Sequence, residues 1–126
     1  MTFPQHLIPM ALLALGALSI HPAWAHGSAQ SRHGGMTQMA HDLGFELVQG
    51  SDGITLYLMD HEQPLPSQGV SGKLTVLQGT QKTEVDLKPA GDNKLQAAGL
   101  KLAPGAKAVA SLQIRGKAVT VRFTVK

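Results

Sequence analysis

The chain has 126 residues, no cysteine, and a formal charge of +3 from eleven Lys/Arg against eight Asp/Glu. That length holds one domain rather than two, and the missing thiols exclude disulfide staples and thiolate metal sites. The basic residues are scattered singly from Arg32 to Lys126 beside one Trp and one Tyr, which excludes the clustered basic and aromatic pattern of a nucleic-acid binder.

The first element in chain order is an export signal over residues 1–25. A short polar start, Met1 to His6, precedes an apolar run from Leu7 to Ile20, and Ala23 and Ala25 supply the small residues of an A-x-A cleavage site. The n-region carries no Lys or Arg. A membrane span needs about 20 uninterrupted apolar residues, and this run is shorter and broken by Pro9. Cleavage after Ala25 predicts a mature chain that begins at His26, has no membrane anchor and works as a soluble protein in the periplasm. No Cys follows the signal to carry a lipid.

Residues 26–42 are expected to form a flexible arm. They read His-Gly-Ser-Ala-Gln-Ser-Arg-His-Gly-Gly-Met-Thr-Gln-Met-Ala-His-Asp, rich in Gly, Ser and Gln and without apolar period. The character changes at residue 43. Phe45–Val48 and Ile54–Met59 are strand candidates, the second alternating Ile54, Leu56, Leu58 against Thr55, Tyr57, Met59. After a loop with Pro64, Pro66 and Gly69 come Gly72–Leu77, Thr83–Lys88, Lys94–Ala97, Ala106–Ile114 and Lys117–Lys126, parted by Gly- and Pro-bearing turns. Seven short runs at this spacing, with no convincing helical period, predict an all-β domain over residues 43–126: a seven-stranded antiparallel Ig-like β-sandwich. A small barrel is the runner-up.

The same residues bear on chemistry. There is no G-x-S-x-G, no His-Glu-x-x-His, and the carboxylates of Lys82–Lys88 alternate with Lys as on a solvated strand face. The protein is therefore not expected to be an enzyme. Metal binding is a better match. His26, His33, Met36, Met39 and His41 lie close together in the arm, and His-rich tracts are a compositional sign of metal sites. Thioethers select soft ions and imidazole suits Cu, Zn and Ni, so a mixed His/Met set without Cys favours Cu(I), Cu(II) or Ag(I), with Zn, Co and Ni compatible. A terminal His26 would add its α-amine, whose ordinary pKa lies near 8, as a second nitrogen donor for Cu(II). Met59-Asp60-His61-Glu62 closes the second strand. His61 is a further candidate ligand there, with Asp60 and Glu62 able to orient it or complete the shell.

His33-Gly34-Gly35, Phe45-Glu46-Leu47-Val48 and Gly53–His61 with Pro64-Leu65-Pro66 together resemble a known module. It is the small β-sandwich domain of periplasmic adaptor subunits in metal-efflux pumps of the resistance–nodulation–division type. Ser71–Val76 and Pro89–Leu95 are similar to small standalone periplasmic proteins of the same heavy-metal resistance systems, and the resemblance spans about residues 33 to 126. The chain lacks the long helical hairpin and lipoyl-like domain of a whole adaptor. The resemblance therefore implies an accessory that sequesters metal ions or passes them to an efflux-pump adaptor. The alternative expectation is a non-catalytic interaction module with the arm as a tether.

Overall fold

The computed structural model describes Thr2 and residues 29–126; His26 and all of the signal segment but Thr2 lie outside the described residues. Nine strands and no helix are present among them: β1 (Met36–Ala40), β2 (Leu43–Gly50), β3 (Gly53–Asp60), β4 (Gln63–Pro64), β5 (Ser71–Gln78), β6 (Gln81–Pro89), β7 (Lys94–Ala98), β8 (Lys107–Ile114) and β9 (Lys117–Thr124). Alternation decides which side of each strand is covered. Ile54, Leu56 and Leu58 of β3 are buried, as are Leu74 and Val76 of β5 and Val119, Val121 and Phe123 of β9. These side chains meet Phe45, Leu47, Leu95, Ala108, Ala110 and Leu112 in one core.

Every pairing is antiparallel, and the order is β1-β2-β3-β7-β6-β5-β8-β9, with β4 added beside β3. β6 joins the two halves. Gln81–Leu87 pair with β5, and Lys88 and Pro89 pair with β7. The ends of the path, β1 and β9, approach each other without sharing a ladder, so the sheet is nearly closed into a barrel.

The all-β antiparallel reading holds, and the seven-stranded sandwich does not. The seven expected runs are strands, but β1 and β4 bring the number to nine, and β6 makes one continuous sheet of what alternation alone leaves as two. β1 comes from the stretch read as an arm. It escapes a periodicity search because it is an edge strand of five residues, with only Met36 and Ala40 packed against the core.

Candidate metal centre

Three hairpins end in two-residue turns with positive φ at both central residues, the I′ arrangement whose twist matches paired strands. Their central residues are His41-Asp42 between β1 and β2, His61-Glu62 between β3 and β4, and Arg115-Gly116 between β8 and β9. All have positive φ: 51° and 62°, 49° and 66°, 51° and 77°. Asn-Gly is the usual solution to that geometry. A His followed by a carboxylate in this conformation costs on the order of 1 kcal/mol per residue, and such strain concentrates at functional sites. Here the same costly dipeptide type occurs in two turns.

Both turns flank one open groove of about 540 Å³, lined by Ala29, Gln30, Arg32, Met39, Ala40, His41, Asp42, Gly44, Met59, His61 and Glu62. Its floor follows from register. Met39 pairs with Gly44 and Gly44 with Met59, so all three share the outer face of β1, β2 and β3. Gly44 contributes no side chain. A Cβ there would meet Met59 Cβ at 3.3 Å, Ala29 Cβ at 3.5 Å and Met39 Sδ at 3.6 Å. The Met39 side chain is 38% exposed. Asn93 Nδ2 donates to the Met59 sulfur at 3.6 Å and to Leu58 O at 3.0 Å, holding the second thioether in place.

The rim is tied together by polar contacts. Asp60 Oδ1 lies 2.6 Å from His61 Nδ1, Arg115 Nη1 donates to Asp60 Oδ2 at 3.2 Å, and Arg32 Nη2 donates to Glu62 O at 3.2 Å. The His61 hydrogen bond and the Arg115 guanidinium hold the Asp60 carboxyl below the usual range, partial desolvation opposing them. Among the described residues no group of three or more His, Asp or Glu is gathered to hold an ion. The groove's donor set is mixed: two thioethers, two imidazoles and two turn carboxylates.

The sequence candidates are thus divided. Met39, His41 and His61 come together at the groove, and His26 lies outside the described residues. His33 and Met36 line a different depression, of about 600 Å³, along the β1–β9 seam, and Met36 packs against the core. Met59 joins the groove unforeseen. Its place on the outward face with Thr55 and Tyr57 was legible, but its nearness to Met39 required the β1–β2–β3 register.

His33 has a second engagement that sequence reasoning missed. Glu46 lies on the outer face of β2, between Thr37 and Tyr57 in register, yet it is only 4% exposed. The segment before β1 wraps over it. Ser31 Oγ donates to Oε2 at 2.9 Å, Arg32 N to Oε1 at 3.0 Å, His33 N to Oε2 at 2.9 Å and Gly35 N to Oε2 at 2.8 Å. The His33 ring adds Nδ1 to Oε1 at 3.0 Å and stacks on Tyr57 with centroids 3.7 Å apart and planes 6° from parallel. Burial alone would raise the Glu46 pKa. The N–H groups of Arg32 and Gly35, the His33 ring and the His33 N–H outweigh it and bring the value from 4.5 to about 2. Gly35 is required here, since a Cβ would meet Val48 Cγ2 at 2.7 Å and Glu46 Cγ at 3.0 Å. The clamp carries Ala29, Gln30 and Arg32 to the groove as one wall.

Fold and site define a small all-β protein, nearly closed into a barrel, with a soft-donor groove flanked by two tight turns. No protein-family model, curated protein or solved structure matches the chain.

Proposed function

We propose that the protein is an exported, non-catalytic accessory that binds copper- or silver-type ions in the groove between the β1–β2 and β3–β4 turns. It would sequester them in the periplasm or pass them to a metal-efflux system. One observation carries this reading: Met39 and Met59 flank the bare Gly44, with His41 and His61 at the rim of the same groove. Thioether sulfur prefers Cu(I) and Ag(I), and imidazole extends the set to Cu(II). The compartment and the efflux partner rest on the A-x-A signal pattern and on the resemblance of residues 33–126 to the adaptor module.

Native mass spectrometry of the exported full chain with Ag(I), Cu(I), Zn(II), Ni(II) and Co(II) tests the reading. One Ag(I) or Cu(I) is expected to bind in preference to the harder ions. The nearly isosteric pair Met39→Leu and Met59→Leu is expected to weaken Ag(I) binding by more than about 100-fold, because even outer-shell partners of a metal are worth 10–100-fold. Retention of full affinity would move the site elsewhere. Absence of any ion would leave the interaction-module reading in its place. Amino-terminal sequencing of the exported protein should give His-Gly-Ser-Ala, the arrangement in which His26 can chelate Cu(II) through its amine and ring.

A further inference from the structure

We propose that Arg115, Asp60 and His61 form a positioning chain that presents Nε2 of His61, as an unprotonated donor, to a soft ion seated on Met39 and Met59. The proposal rests on the metal reading above and names the nitrogen that completes it. Asp60 is the last residue of β3 and His61 the first of the following turn, and the two side chains meet at 2.6 Å between Oδ1 and Nδ1. An ionised carboxylate only accepts hydrogen bonds, so Nδ1 carries the proton. In the neutral ring the lone pair then belongs to Nε2.

A carboxylate behind an imidazole is a recurrent device at metal sites. It fixes the tautomer, stops the ring from turning and raises the basicity of the free nitrogen. Asp60 is itself held. Arg115 Nη1 donates to its second oxygen at 3.2 Å from the β8–β9 turn, 55 residues away in sequence. Arg115 adopts the same left-handed backbone as His41 and His61, with φ of 51°. The third strained turn therefore braces the second. His41 has no such brace, since its ring makes no hydrogen bond among the described residues. Of the two imidazoles on the groove, that of His61 is the one held by a hydrogen bond among the described residues.

The test uses the full chain. Histidine side-chain nitrogen NMR of the metal-free protein at pH 8 is expected to show His61 protonated at Nδ1. In Asp60→Ala it should revert to the Nε2-protonated form that an unrestrained imidazole favours. Titration with Ag(I) as the probe should show affinity falling 10–100-fold in Asp60→Ala. Asp60→Asn should recover most of it, because the amide oxygen still accepts from Nδ1 but carries no charge. Arg115→Gln should lose several-fold. Protonation of His61 at Nε2 in the unmodified protein would overturn the proposal. So would equal Ag(I) affinity in Asp60→Ala, or an Asp60→Asn as weak as the alanine variant, which would make Asp60 a charge partner of the ion. An unmodified protein with the expected tautomer and no Ag(I) binding would overturn the metal reading and leave only the oriented ring.

Discussion

Glu46 holds His33 twice, through the His33 backbone N–H at 2.9 Å and the ring Nδ1 at 3.0 Å, while Tyr57 stacks against the same imidazole with ring centroids 3.7 Å apart. Residues 31–35 are ordered across β2 and β3 by that one carboxylate. Glu46→Ala leaves the donors of Ser31, Arg32, His33 and Gly35 without their acceptor. Hydrogen bonds to a charged group are worth about 1.5–3 kcal/mol each, but the freed segment can turn its donors to water. The expected loss is therefore about 3 kcal/mol rather than the full sum, measured by urea unfolding. Trypsin should cut after Arg32 far faster in this variant than in the unmodified protein.

The same carboxylate sets a pH dependence. Its folded pKa of about 2 lies below the ordinary 4.5, so the unfolded chain binds the proton more readily. The stabilisation is complete above about pH 5 and is lost as pH falls from 4.5 towards 2. The gap corresponds to up to about 3 kcal/mol at 1.36 kcal/mol per pH unit. Unfolding free energy followed from pH 6 to pH 2 should decline over that window. Glu46→Gln should start lower and decline less, and parallel curves for the two proteins would rule this origin out.

Replacing the turn pairs should separate stability from ion binding. His41→Asn with Asp42→Gly, and His61→Asn with Glu62→Gly, install the residues that positive φ favours at both positions. Each pair is expected to raise stability by about 1 kcal/mol. The doubly replaced protein should melt higher yet bind Cu(II) much more weakly, with Ag(I) reduced less because the thioethers remain. A lower melting temperature would show that the native turn side chains stabilise the fold.

Gly44 offers a change at the floor of the groove. A methyl group there is tight against Met59 Cβ at 3.3 Å, which must give by a few tenths of an ångström, and fills the space beside Met39 Sδ in ordinary contact at 3.6 Å. Gly44→Ala is expected to cost less than about 1.5 kcal/mol of stability and to lower Ag(I) affinity roughly 10-fold, on the scale of other disturbances just outside a metal shell. Unchanged affinity would mean that the ion does not lie between the two sulfurs.

Local alternation by itself determined the seven strands other than β1 and β4, because a pleated strand puts successive side chains on opposite faces and Ile54, Leu56, Leu58 or Val119, Val121, Phe123 share one covered face. It also marked the arm and the second strand's end as carrying His and Met, and Asp60 as the neighbour able to orient His61. Tertiary structure decided the rest. β1 is an edge strand whose polar Thr37 and Gln38 hide its period, and β6 unites the sheet by changing partners at Lys88, which no local pattern records. Glu46 reads as an outward strand residue and is buried only because residues 31–35 return over it. Met39 and Met59 stand twenty positions apart in sequence; the ladder register through Gly44 makes them neighbours. Arg115 reaches Asp60 only because the sheet curls until the β8–β9 turn meets the β3–β4 turn. Residue types announce which donors a chain owns, but long-range pairing determines which of them meet, since distance in space is set by closure of the sheet.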